Sequence, residues 1–268
     1  MARPSGTFVQ LTYAEHDRME YFKAILLTAI IFIPLERLLA RHPEQKLLRR
    51  AWLNDLIYWL VNGHIIHLGL AIVVGGTIVA ASWLIPEAMR TAVAAQPVWL
   101  QFIECVIAAD LGFYLAHRAF HTVPWLWKIH SIHHSIEELD WLAGARVHPI
   151  DQIVTKSVSL LPVFALGFSD VAIGAYMLLY AWQSVFLHSN VRIKFGPLRW
   201  LVASPEFHHW HHSIDAEARD RNFAAHLPLL DAVFGTLHMP RDREPTGYGI
   251  SDPVPETYPA QLLHPFRR

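Results

Sequence analysis

The sequence predicts an all-α fold: an integral membrane helical bundle of about four to five spans with a histidine-rich cap on the cytoplasmic side. Three observations carry this expectation. The chain is 53% hydrophobic over 268 residues, with mean hydropathy +0.25, which is more apolar than an ordinary soluble domain. Its apolar residues gather into stretches long enough to cross a bilayer, for which about 20 residues are needed. The histidines, 18 in all, crowd where those stretches end.

Taken in order, residues 22–39 form the first apolar stretch, interrupted by Lys23, Pro34, Glu36 and Arg37. Residues 41–50 are a basic loop carrying Arg41, Lys46, Arg49 and Arg50. Residues 52–85 suit one tilted span plus an interfacial turn, with Gly75-Gly76 as the expected kink. Within it His64 and His67 share a face with Asp55 below, a pattern suited to a polar contact between helices. Residues 86–97 read as a short connector. Residues 98–116 form the third span and run straight into His117. Residues 125–148 are amphipathic. Residues 153–168 and 171–187 read as a tight helical hairpin turning at 167–170. From Asn190 onward the chain is proline-rich, so loops and short helices are expected. Trp52, Trp59, Trp83, Trp99, Trp125 and Trp127 fall near span ends, where an interfacial belt belongs.

Charge and cysteine usage exclude several classes. Net charge is −1, so no nucleic-acid partner is expected. Cys105 is the only cysteine, which rules out an internal disulfide, a cysteine zinc site and an iron–sulfur cluster. Residues 1–20 lack a short apolar core with a small-residue cleavage site, so no cleaved signal peptide is expected. Five crossings place the basic loop, the 117–148 segment and the chain after His188 on one face. Positive residues mark the cytoplasmic face, and Arg118 and Lys128 agree with that side.

The histidine spacing points to metal. His117 and His121 are four apart and stack on one helix face. His130, His133 and His134 stand at i, i+3 and i+4, and His208, His211 and His212 repeat that pattern. His188 follows the last span directly. Nine imidazoles exceed the needs of one ion and argue for two. Imidazole alone suits zinc, copper, iron or nickel. The competing reading is a set of solvated polar helix faces, which three spaced clusters on one membrane face disfavour. No His-Glu-x-x-His protease motif occurs, and Glu206-x-x-His209 is the one Glu-x-x-His match, so a soluble-type di-iron bundle is not indicated.

These motifs resemble those of the fatty acid hydroxylase/sterol desaturase superfamily, integral-membrane di-iron oxygenases with His-x3-His, His-x2-His-His and a second His-x2-His-His. Flanking residues match too: Asp110, Tyr114 and Arg118 around the first motif, and Leu126-Trp127 and Ser135 around the second. Arg146-Val-His148-Pro149-Ile-Asp151 resembles the family's Arg-x-His-Pro-x-Glu with Asp for Glu. His188-Ser-Asn190 resembles its His-x-Asn. Asp220-Arg-Asn222-Phe223-Ala224 resembles a segment that usually ends in Gly.

The resemblance implies two iron ions held by His117, His121, His130, His133, His134, His188, His208, His211 and His212. It implies O2-dependent hydroxylation of a C–H bond on a membrane lipid, whether fatty-acyl, sterol or related. Electrons would come from a separate redox partner, since the chain has no flavin, haem or iron–sulfur motif. The alternatives are a lipid or sterol desaturase with the same site, and a non-catalytic metal-binding membrane protein. Asp110, Arg146, His148, Asn190 and Asn222 are expected to support the ligands from behind, Asp110 by orienting a histidine. The expected organisation is N-terminal membrane helices over 1–97, a hydroxylase-like di-iron domain over 98–240 and a C-terminal tail over 241–268.

Overall fold

A computed structural model describes the backbone of residues 6–267, and their side chains except at 6–21, 64, 67, 78, 81 and 82. The side chains of His64 and His67 therefore lie outside the described residues. The described residues are helical with no β-strand, and only two isolated bridges, Ala40–Val191 and Ser213–Tyr248, pair extended backbone.

Among the described residues ten α-helices follow one another: α1 Gly6–Leu38, α2 Trp52–Leu84, α3 Glu87–Ala94, α4 Val98–Thr122, α5 Pro124–His134, α6 Pro149–Leu166, α7 Asp170–His188, α8 Pro205–His211, α9 Pro228–Val233 and α10 Tyr258–Leu263. Their ends follow local chemistry. Proline opens α5, α6 and α8, where its missing N–H is no loss. Ser204 accepts the Phe207 N–H at the start of α8, and Ser169 does the same for Ala172 at the start of α7. Gly167 takes φ 76° to end α6, the left-handed turn that lets α7 double back.

α4 is the central helix and packs on α6 and α7, while α2 packs on α6. Gly112 makes the α4–α6 approach possible, because a Cβ there would stand 2.6 Å from the Val158 carbonyl oxygen. Ser159 Oγ, one residue on, donates to the Ala109 carbonyl at 2.8 Å. Large apolar side chains such as Leu26, Ile72, Ile107, Leu161 and Leu178 are exposed on these helices, more than water favours.

Among the described residues, α4 and α7 are long and apolar enough to cross a membrane, and α2 is a third if its bent halves count as one span. The four to five spans expected also need α6, which carries Asp151, Gln152 and Lys156, and α1, of which the side chains before Phe22 lie outside the described residues. The bend in α2, 43°, lies between Gly63 and Leu68 rather than at Gly75-Gly76. The connector before α4 is not irregular: it holds α3.

The polar end of the bundle is tied together by buried charge. Asp55 on α2 accepts from Arg49 at 2.6 Å and from Arg146 at 2.5 and 3.0 Å, and Arg49 also reaches Asp140 at 2.8 Å. Glu36 on α1 accepts the backbone N–H of Trp141 and of Asn190. Over this end fold the loops and short helices after His188.

Candidate metal centre

Nine imidazoles meet at that end, brought by the last two turns of α4, by α5, by the final residue of α7, and by α8 and the residue that caps it. They fall into two groups. His117, His121, His130, His134 and His211 form one, and His133, His188, His208 and His212 form the other, with one ring nitrogen of each within 4.8 Å of its group's others. The three-residue patterns do not serve one centre each. His133 and His134 are neighbours on α5, about 100° apart around the axis, and they face different groups. His211 and His212 divide in the same way. The groups stand against each other, with the His134 and His212 rings stacked at 4.6 Å between centroids.

The hydrogen bonds behind the rings fix which nitrogen faces inward. Nδ1–H donates to the Phe223 carbonyl from His117 (2.8 Å), to the Arg146 carbonyl from His133 (3.0 Å), to the Ser184 carbonyl from His188 (2.7 Å) and to the Arg221 carbonyl from His211 (2.8 Å). His130 Nδ1–H donates to the Asp151 carboxylate at 2.6 Å. Since these acceptors cannot donate, each Nε2 is left with a bare lone pair. Two such lone pairs then face each other: His117 and His130 Nε2 at 3.1 Å, and His133 and His188 Nε2 at 3.2 Å. His208 Nε2 stands 2.9 Å from His188 and 3.2 Å from His212. Facing acceptors repel unless a cation lies between them. At a metal–imidazole bond near 2.0–2.1 Å, two nitrogens at a right angle lie about 3 Å apart. Nε2 of His121, His134 and His211 is buried with no hydrogen-bond partner. Unmet buried acceptors of this kind are rare, and a metal would satisfy them together.

Electrostatics agree. Burial, and then the charge that neighbouring rings would carry, hold His133, His134, His208 and His212 well below the ordinary imidazole value of 6.5. Burial pushes His211 down to about 3. Neutral imidazole is the form that binds metal.

The other residues singled out in the sequence stand behind this cluster or apart from it. Asp110 orients no histidine ring. It accepts the backbone N–H of Ala225, His226 and Leu227 at 2.7–3.1 Å, and Asp231 accepts those of Phe223 and Ala224. Five consecutive amides are thus held by two buried carboxylates, and the loop so fixed presents the Phe223 carbonyl to His117. Arg146 offers its carbonyl to His133 while its guanidinium pairs with Asp55. His148 belongs to neither group: it caps α6 by accepting the Ile150 N–H, and its Nε2 meets the Leu262 carbonyl. Asn190 ties down His42 through its side chain. Asn222, at φ 60°, bridges Phe207 and His238. Ala224 has no positive φ, so alanine fits where the motif usually has glycine. Asp151, quoted only as the end of a motif, is the carboxylate that fixes His130. No periodicity could reveal that pairing across 21 residues.

Two openings reach the cluster. An inner cavity, lined by Phe113, Val147, Leu187 and Ala224 and also by Asp151, Thr155 and Ser184, exposes five of the nine imidazoles. On the opposite side a polar pocket reaches His121, His134 and His211 past Trp127, Asp215 and Asp252.

Comparison with known proteins places these features. The family whose model matches is fatty acid hydroxylase, over residues 102–236. The ornithine lipid hydroxylase OlsE of Rhizobium tropici is 28% identical, covering 92% of this chain and 76% of its own length. The alkylglycerol monooxygenase of Xenopus tropicalis is 29% identical over 62% of this chain and 36% of its own. A very-long-chain aldehyde decarbonylase of Oryza sativa is 30% identical over 56% of this chain and 26% of its own. The chain thus spans about three quarters of the first relative and about a third or less of the other two. No solved structure matches.

Proposed function

The chain belongs to the fatty acid hydroxylase family, and we propose that it is a membrane lipid hydroxylase whose nine clustered histidines hold two iron ions. The observation that carries this reading is the facing of bare Nε2 atoms, His117 with His130 at 3.1 Å and His133 with His188 at 3.2 Å, beside a cavity whose exposed wall is mainly apolar. His117, His121, His130, His134 and His211 are the ligands of one ion, and His133, His188, His208 and His212 those of the other. When bound, the irons supply O2 activation, a metal's chemistry rather than a side chain's. The balance is one C–H bond, one O2, two electrons and two protons giving one C–OH bond and one water. The electrons come one at a time from a separate redox protein.

The residues around the irons do the positioning. Asp151 and the carbonyls of Phe223, Arg146, Ser184 and Arg221 hold the rings with Nε2 inward. Phe113, Val147 and Leu187 exclude water and accept a hydrocarbon chain from the bilayer. The uncharged donor set matches a site meant to bind cations without neutralising them.

The same reading assigns four to five crossings to α1, α2, α4 and the α6–α7 hairpin, with the metal centre on the cytoplasmic side, where Arg37, Lys46, Arg50 and Lys128 lie. It divides the chain into membrane helices (1–97), the di-iron domain (98–240) and a tail (241–268). The test is metal content of detergent-purified protein beside His133→Ala, followed by lipid-dependent O2 uptake with a reductant supplied. About two irons per chain, falling by half or more in the variant, is expected for a two-metal site. A protein without metal, or one metal indifferent to His133, overturns the assignment.

A further inference from the structure

One polar atom in the inner cavity has no part in holding metal. His226 is 3% exposed, lines the cavity beside His117, His130 and His133, and its Nε2 has no hydrogen-bond partner. Its tautomer follows from a short relay. The Gln183 amide NH2 donates to the Ala203 carbonyl at 3.2 Å, which leaves Gln183 Oε1 facing His226 Nδ1 at 2.8 Å. That oxygen only accepts, so Nδ1 carries the proton and Nε2 is a bare acceptor. The ring is held on its sides by Tyr176 and Tyr180, with centroids at 5.6 and 6.0 Å. Its backbone N–H is held by Asp110. The ring lines the cavity, and Nε2 is its one nitrogen without a partner. A buried acceptor without a donor is unfavourable.

We infer that His226 determines substrate specificity: its Nε2 accepts a hydrogen bond from an O–H or N–H of the lipid, close to the carbon offered to the metal centre. This rests on reading the cavity as the substrate site. It narrows the substrate class to lipids with a hydroxyl or amide N–H beside the hydrocarbon segment that Phe113, Val147 and Leu187 enclose. A plain hydrocarbon chain or an ester offers the same segment without the donor and leaves Nε2 unmet.

The probes are a fatty N-alkyl amide and the fatty O-alkyl ester of equal length, titrated into the detergent-purified, iron-loaded protein and followed by tryptophan fluorescence. Wild type is expected to bind the amide roughly 3–10-fold more tightly than the ester, the worth of one buried hydrogen bond. His226→Phe brings the ratio to about one with iron content unchanged, and His226→Gln, which restores an acceptor, recovers part of it. Gln183→Leu releases the tautomer and also lowers the ratio. Equal binding of both lipids by wild type, as when a water meets Nε2, overturns the inference. So does a His226→Phe protein that keeps the preference, or one that loses iron while keeping it. Because binding is read separately from turnover, a protein that prefers the amide but forms no oxidised lipid upholds His226 and sinks the hydroxylase reading.

Discussion

At the scale of single residues, the site depends on which ring nitrogen is free, and that is set by partners far away in the chain. Asp151 is the one carboxylate on a clustered imidazole that is itself buried, 2.6 Å from His130 Nδ1. Asp151→Asn keeps the shape but can turn an N–H toward Nδ1 and favour the wrong tautomer. Iron affinity is expected to fall by about 10–100-fold, as for other partners standing behind metal ligands, measured by chelator competition. The buried rings also bear on acid stability. In the unfolded chain they take up protons near 6.5, whereas in the fold burial holds them below that value. A base with a lowered folded value stabilises the fold above its unfolded value and loses that contribution as pH falls. Metal-free protein should therefore show a flat melting temperature above about pH 6.5 and a declining one below it. A melting temperature that rises on acidification would contradict this.

At the scale of elements, the loop 223–227 links the membrane helices to the cap. Asp110, inside α4, and Asp231, on α9, together accept five successive amides. An acid in an apolar helix was expected to orient a histidine; Asp110 instead holds backbone amides and touches no ring. Asp110→Ala orphans three buried donors at about 1–3 kcal/mol each. A sharp drop in melting temperature together with lost iron is expected; wild-type melting with full iron would show the loop held by other means. The length of the apolar stretches anticipated α4, α7 and the α6–α7 turn. The reading of residues 86–97 as a plain connector missed α3, an eight-residue amphipathic helix. The α6 span was also set on marginal hydropathy, because polar residues that face the cavity look the same as polar residues that break a span.

At the scale of the whole molecule, the metal centre lies between an apolar cavity among the helices and a polar pocket on the outer side. That polarity predicts that lipid and electrons arrive from opposite sides. The orientation is open to direct measurement. Arg219 is exposed at the polar pocket, and Cys105, the one native thiol, is buried. In a Cys105→Ala background, Arg219→Cys should react with an impermeant maleimide only after the cells are opened. Labelling in intact cells would place the centre on the outer face and reverse the topology.

What the sequence determined by itself was which histidines share a helix face and their attachment to helix ends, because helical spacing is local. Tertiary structure alone decided how those nine divide into five and four, since neighbours such as His133 and His134 diverge toward centres built from different helices. It alone paired Asp151 with His130 and Gln183 with His226, because a hydrogen bond between residues 21 or 43 positions apart leaves no periodic trace. Spacing assigns side chains to a face; only the packing of α4, α6 and α7 decides what that face meets.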